Sequence, residues 1–300
     1  MENRSSLLTI LDNTAKIKAL VLGDIMLDRF VYGNAGRISP EAPIPILNIT
    51  HQSQMLGGAG NVGRNITSLG ARAGLISVIG EDAEGVEIER IFSNQSAITP
   101  HLVKSVGRPT TVKTRFIADG QQLLRSDHEA THQLQPKTAG MVLKTFREAI
   151  ETADILVLSD YAKGVLSDTV LRQVIASARE KNIPVIADPK SRDFSRYAGV
   201  TLLPPNRKEM IAASGMPCST NREVELAARS VIEKTGISAL LVTRSEAGMS
   251  LITATDAHHI GAEAQEVFDV SGAGDSVIAA LSLALAAGAS MLEAAQIANL

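Results

Sequence analysis

The chain has 300 residues, 45% hydrophobic and 20% charged, with a net charge of −3 and one cysteine, Cys218. That length suits one large α/β unit or two domains with a sizeable core, while the lack of a basic tract and the scarcity of aromatics (three tyrosines, six phenylalanines, no tryptophan) exclude a nucleic-acid surface. A lone cysteine excludes an internal disulfide framework, argues against a thiolate-rich zinc site and points to a reducing, cytoplasmic setting.

Lys18 to Gly23 (KALVLG) is an apolar run closed by Gly23 and Asp24. It reads as a parallel strand delivering Asp24 to the carboxyl edge of a sheet, where doubly wound folds bind ligands. The same rhythm recurs: Ala73 to Ile79 before a helix over Asp82 to Asn94, Asp154 to Ser159 before Ser167 to Lys181, Pro184 to Ala187, Val200 to Leu203 before Asn206 to Ala213, then Ala239 to Thr243 and Met249 to Thr253. The pattern predicts an α/β fold, doubly wound around a mainly parallel sheet. Ile44 to Thr50, opened by Ser39-Pro40-Glu41-Ala42-Pro43, and Thr110 to Asp127, with Asp119-Gly120 as a hairpin turn, break the rhythm. They read as antiparallel strands of a small lid, at about 37–50 and 110–127, inserted in one domain spanning 1–300. Such a lid is too small to bury both faces, so Val112 and Phe116 are expected to meet a second subunit in a homodimer.

Gly57-Gly58-Ala59-Gly60-Asn61-Val62-Gly63 holds Gly58, Gly60 and Gly63 in the spacing of a dinucleotide fingerprint. Against that reading, His51-Gln52-Ser53-Gln54 separates the glycines from the preceding apolar run, whereas a true fingerprint opens directly from a buried strand. The other readings are close helix packing, or a backbone that approaches a small polyol while Asn61 offers a donor and an acceptor. His128 and His132 lack a third ligand and read as solvated surface, and His258-His259 stands without partners.

Charged residues cluster at predicted strand ends: Asp160 and Lys163 in one loop, Asp188 and Lys190 in another. Asn206 and Glu209 lie one helical turn apart, placed either to hold water around Mg²⁺ and a triphosphate or simply to cap a helix. Thr243, Ser245 and Gly248 occupy a turn between two strands, beside a nucleotide's phosphates or in a plain tight turn.

Near the C-terminus, Asp269-Val270-Ser271-Gly272-Ala273-Gly274-Asp275 runs into the apolar segment Val277 to Ala289, which Ser282 and Gly288 interrupt and which is shorter than a membrane span. With the polar stretch from Met1 to Lys18, no signal peptide or membrane helix is expected. Three small residues at a helix N-terminus leave N–H groups accessible to phosphate oxygens. An Asp there repels phosphate but can take a proton from a hydroxyl that attacks it. The plain alternative is a Gly-rich turn with Asp as cap.

Together, Gly57-Gly58-x-x-Asn61, Asn206-x-x-Glu209, Thr243-x-Ser245-x-x-Gly248 and Asp269-x-x-Gly272-Ala273-Gly274-Asp275 resemble, in order and spacing, the ribokinase family of carbohydrate kinases. Arg37-Ile38-Ser39-Pro40-Glu41-Ala42-Pro43, Ser159-Asp160-Tyr161-x-Lys163-Gly164 and Ala187-Asp188-Pro189-Lys190 look like its heptose 7-phosphate kinase branch, which serves ADP-heptose synthesis for lipopolysaccharide. The resemblance implies Asp275 as general base, Gly272, Ala273 and Gly274 as the anion hole, and Asp24, Gly57, Gly58 and Asn61 as sugar ligands. It further implies Asn206 and Glu209 attending Mg²⁺ (Glu209 through water), an ATP site lined by Thr243, Ser245 and Gly248, and Asn299 near adenine. Ser245 stands where the wider family commonly has glycine.

A phosphorylated substrate needs cations, for which Lys163, Lys190, Arg115 and Arg125 are candidates, with Asp188 beside them. The implied reaction is ATP-dependent phosphorylation of the anomeric hydroxyl of D-glycero-D-manno-heptose 7-phosphate. The alternatives are another sugar or nucleoside kinase of this fold, an NAD-binding oxidoreductase, and a non-catalytic sugar-binding regulator. A helix beginning near Ser290 meets no stop signal before Leu300, and the family's chains normally continue; many carry a fused adenylyltransferase, so only the kinase half-reaction is expected from residues 1–300.

Overall fold

The computed structural model describes residues 10, 13–262 and 272–300. Asp269, Val270 and Ser271 of the predicted turn lie outside these. The elements run β1 (Lys18–Gly23), β2 (Ile25–Ile38), β3 (Pro45–Gly58), α1 (Ala59–Ser68), β4 (Arg72–Gly80), α2 (Ala83–Ser93), β5 (Ile98–Ser105), β6 (Val112–Ala118) and β7 (Gln121–His128). They continue with α3 (Pro136–Ala149), β8 (Ile155–Ser159), α4 (Asp168–Glu180), β9 (Val185–Asp188), α5 (Arg207–Ser214), α6 (Asn221–Thr235), β10 (Ala239–Thr243), β11 (Met249–Thr253), β12 (Ala257–Ile260), α7 (Ala273–Ala286) and α8 (Met291–Ala298). Among the described residues no helix is long and apolar enough to cross a membrane.

The main sheet has strand order β5-β4-β1-β8-β9, all parallel. Val200 to Leu203, expected as a strand, contributes only the bridges Ile186 to Leu202 and Leu203 to Leu240, which join this sheet to β10 and its antiparallel neighbours β11 and β12. β1 is apolar throughout because both faces are covered: Leu20 and Leu22 enter one buried cluster, Ala19 and Val21 the other. Helix starts fall where their caps lie. Asp82 accepts the Gly85 N–H at 2.8 Å, and Asn206, Thr220 and Ser290 each form a reciprocal capping box with Glu209, Glu223 and Glu293.

The chain leaves the carboxyl edge of the main sheet twice, after β1 and after β5, to build a second sheet of order β3-β2-β6-β7. The predicted hairpin at Asp119-Gly120 is present, with both residues at positive φ (49° and 80°). The lid is larger than its sequence suggests, because β2 and β3 are each 14 residues long. Polar residues on an open two-sided sheet hide the strand pattern. β3 also runs through His51 to Gln54 into Gly57 and Gly58, so the gap inferred there is strand. That strand is antiparallel to β2 and outside the main sheet, which is not the βαβ context of a dinucleotide fingerprint.

Two further expectations change. Val112 is 4% exposed, packed in the core cluster with Leu27 and Leu56, and cannot face a partner. His259 has partners: Ser250 Oγ at 2.9 Å and Glu225 Oε1 at 3.1 Å.

Candidate active site

Strand β1 pairs with β4 on one side and β8 on the other, so the loops after β1 and β8 meet where the strand order reverses, the usual ligand position in such sheets. Asp24 follows β1. It is 1% exposed, and its carboxylate accepts the N–H groups of Tyr161, Lys163 and Val165 at 2.9, 3.0 and 3.0 Å. Burial pushes its pKa up, with these three bonds opposing. Both oxygens of Asp24 thus accept backbone N–H groups, and the residue shapes the loop after β8. Arg108 holds the same loop from the other side, donating to the carbonyls of Lys163, Ala130 and His132.

That loop presents Tyr161 to Asp275. Asp275 lies in the first turn of α7, 7% exposed, after Gly272 in the left-handed conformation (φ 79°). Tyr161 OH donates to Asp275 Oδ1 at 2.9 Å, and Asn61 Nδ2 donates to Oδ2 at 2.5 Å. Arg64, one turn along α1, donates to Asn61 Oδ1 at 2.6 Å. Burial raises the Asp275 pKa above the usual carboxylate value; Asn61, Tyr161 and Lys190 act against that, and Asp28 adds to it.

Asp275 faces a cavity of about 220 Å³ whose wall includes Tyr161, Asp188, Lys190, Asn206, Glu209 and Thr243. Gly272 and Gly274 line it too, and a Cβ built on Gly274 would meet nothing within 4 Å, so the helix N-terminus opens into this space. Asp188 ends β9, and burial first, then Glu209, Asp275 and Asp160, push it up to about 7 despite Lys190. Lys190 lies 3.4 Å from Glu209 Oε1 and 5.6 Å from the Tyr161 ring centre. Asn206 and Glu209 form the capping box that was the plainer reading, and they also line the cavity.

Gly57 and Gly58 lie where the lid strand β3 meets α1. A Cβ on Gly57 would fall 2.1 Å from Asp28 Oδ2, and Gly58, at φ 58°, lets β3 turn into α1. Asp28 pairs with Arg115 at 2.5 Å, and the Arg115 guanidinium lies 5.2 Å from the Phe30 ring centre. The remaining expected cations point elsewhere. Lys163 pairs with Glu129 at 2.7 Å, and Arg125, half exposed, pairs with Asp127 at 2.9 Å on its own strand.

In the turn between β10 and β11, Thr243 lines the cavity, Ser245 adopts φ 53° and Gly248 φ 77°. The positive φ explains why a glycine suits the Ser245 position. Asn299 donates to the Gly261 carbonyl at 2.8 Å, tying the end of α8 to the segment after β12.

Asp28, Arg64, Tyr161 and Arg108 were not singled out from sequence. Arg64 was recoverable from its i+3 spacing to Asn61 on one helix face. Tyr161 carries no comparable local signal, because its partner Asp275 lies 114 residues further along the chain.

A family model, pfkB family carbohydrate kinase, matches residues 16–300. The chain belongs to that family. This pfkB-family chain is 48% identical over its whole length to the bifunctional protein HldE of Rhodospirillum rubrum and 47% identical over 95% of its length to that of Gluconacetobacter diazotrophicus. It spans 61% and 59% of those two proteins, about three fifths of each. Among solved structures, phosphofructokinase-2 from Escherichia coli in complex with fructose-6-phosphate superposes with a TM-score of 0.78 at 23% identity, covering 95% of this chain and 91% of that one. Arabidopsis thaliana ribokinase complexed with ribose and ATP gives 0.70 at 20% identity, covering 95% and 90%. These likenesses show the ribokinase-like fold; the pfkB assignment makes the chain a carbohydrate kinase.

Proposed function

We propose that this pfkB-family kinase transfers the γ-phosphoryl group of ATP to the anomeric hydroxyl of D-glycero-D-manno-heptose 7-phosphate, giving the 1,7-bisphosphate and ADP, a cytoplasmic step of ADP-heptose synthesis. The relatives named HldE support the sugar assignment. The observation that carries the chemistry is Asp275, a buried carboxylate at the N-terminus of α7, facing a cavity shared with Lys190, Asn206, Glu209 and Thr243.

The hydroxyl oxygen forms the new bond to phosphorus, its proton passes to Asp275, and the bond from phosphorus to the ADP oxygen breaks. The N–H groups of Ala273 and Gly274 are placed to receive charge on the transferring group. Thr243, Ser245, Gly248 and Asn299 serve the nucleotide. Gly57, Gly58, Asn61 and Asp28 serve the sugar, with Arg115 and Lys190 toward its phosphate. Among the described residues no cluster of three or more His, Cys, Asp or Glu side chains could cage a metal. The donors at hand, Asn206 and Glu209, fit a magnesium ion held mainly by phosphates and water, with Glu209 acting through water. When bound, magnesium would supply neutralising charge to the triphosphate. We further propose a homodimer through the lid.

The test is ADP release with a panel of acceptors: heptose 7-phosphate, fructose 6-phosphate, free hexoses, ribose and nucleosides. The highest kcat/KM should belong to the heptose phosphate; another acceptor in first place would make this a different sugar kinase. Asp275→Asn should keep the fold and lose about 10²- to 10⁴-fold in turnover. Activity within about threefold of the wild type, far less than a positioned base contributes, would refute the base assignment.

A further inference from the structure

Asp275 is held by both carboxylate oxygens, and the two donors are not equivalent. On the Tyr161 side the donor is a phenol whose own pKa is raised, by burial first and then by the Asp275 and Asp188 charges, so it stays protonated. Its loop is fixed by the three Asp24 bonds and by Arg108. On the other side a chain of donors runs from a cation to the base: Arg64 Nη2 to Asn61 Oδ1 at 2.6 Å, then Asn61 Nδ2 to Asp275 Oδ2 at 2.5 Å.

An asparagine amide can present either end to a carboxylate. A guanidinium has donors only, so Arg64 forces the Asn61 carbonyl toward itself and the NH₂ toward Asp275. The reversed amide would set oxygen against oxygen at one end and donor against donor at the other. Arg64 otherwise meets the Met55 sulfur at 3.8 Å, and no carboxylate among the described residues pairs with it.

We propose that Arg64, acting through Asn61, and Tyr161 are positioning residues that clamp both oxygens of Asp275 and keep the buried carboxylate in its ionised, proton-accepting form. The inference rests on Asp275 being the general base. Hydrogen bonds to the charged form favour that form, and such bonds polarise one another along a chain. A carboxylate has about four acceptor positions, so two clamping donors leave room for the substrate hydroxyl. The other groups facing Asp275 do not duplicate the clamp. Lys190 acts through space and is paired to Glu209, while Asp28 and Asp188 are like charges that favour the neutral acid.

The experiment measures kcat and the sugar KM from pH 5 to 9 at saturating Mg–ATP, using the best acceptor from the panel, for the wild type, Tyr161→Phe, Arg64→Gln and Arg64→Lys. Losing either donor should move the acid limb of kcat upward by about one pH unit. Above the limb, turnover should return to within about threefold of the wild type, with the sugar KM changed by less than about threefold, because the base itself is intact. Arg64→Lys, which keeps a cationic donor, should show a smaller displacement than Arg64→Gln. An acid limb that stays in place in Tyr161→Phe and Arg64→Gln overturns the clamp. So does a sugar KM raised tenfold or more in Arg64→Gln with the limb unmoved, which would make Arg64 a ligand of the substrate's phosphate. Should Arg64→Gln fail to fold, Tyr161→Phe and Arg64→Lys decide alone. Asp275→Asn separates the two levels: if it remains active the base reading fails, and if it is inactive while the limb stays put only the clamp fails.

Discussion

The carboxylate of Asp24 accepts the backbone N–H of Tyr161 at 2.9 Å, across 137 residues of chain and with Asp24 1% exposed. The same carboxylate takes two more N–H groups of that loop. A buried N–H left without an acceptor costs about 1–3 kcal/mol, so Asp24→Ala should lower unfolding stability by about 3 kcal/mol or more. Because the loop carries Tyr161 to Asp275, turnover should fall as well, most on the acid side of its pH profile. Urea denaturation alongside an ADP-release assay measures both, and a variant of wild-type stability would show that the loop holds itself.

Gly274 presents the opposite case. A Cβ there meets no atom within 4 Å outside its chain neighbours and the backbone of its own helix, so the fold accepts a side chain. Gly274→Val should leave stability within about 1 kcal/mol of the wild type. It places two methyl groups in the cavity before the helix N-terminus, where loss of one charge-stabilising donor costs roughly 3–4 kcal/mol of transition-state energy. A kcat reduced about 10²- to 10³-fold with an unchanged melting temperature is the expected pair of results. Unfolding before loss of activity would make the turn purely structural.

Asp188 gives a stability effect with a definite sign. Its pKa rises from 3.8 to about 7 in the folded protein, chiefly through burial. A raised carboxyl binds its proton more tightly when folded, so its contribution is fully present below about pH 4 and is lost as the pH rises toward 7. Asp188→Asn removes that dependence. Without nucleotide or divalent cation, the variant's advantage over the wild type should grow between pH 4 and 8, by an amount on the order of 2–4 kcal/mol. Thermal melts at a series of pH values check it; a constant difference would place Asp188 outside the buried acidic cluster.

The lid offers apolar side chains to solvent: Ile38, Ile44, Ile49 and Leu124 are each more than half exposed. Covering them by a second lid is the basis of the proposed dimer. Leu124 is a better probe than the half-buried Phe116 of the adjacent strand. Ile49→Asp with Leu124→Asp should give monomers by light scattering at micromolar concentration and raise the sugar KM more than the ATP KM. A wild-type protein that is monomeric throughout would remove the dimer.

By itself the sequence determined the α/β class, the helix starts at Asp82, Ser167 and Asn206, the hairpin at Asp119-Gly120, and the small-residue turn leading into Asp275. Each is written locally: an apolar run buried on both faces, a cap beside its helix, a dipeptide that tolerates positive φ, a stretch without bulky side chains. Only the tertiary structure decided that Asp24 meets the Tyr161 loop and that Asn61 and Tyr161 meet Asp275, because each of these partners lies more than 100 residues away and is reached only once β1 and β8 pair and α1 packs beside α7. It also decided which acidic partners the expected cations take. Lys163 and Arg125 look like phosphate ligands in a sequence, where a charge has no neighbours. In the fold, Glu129 and Asp127 hold them, while Lys190 lines the cavity beside Glu209 and Arg115 pairs with Asp28 in the lid.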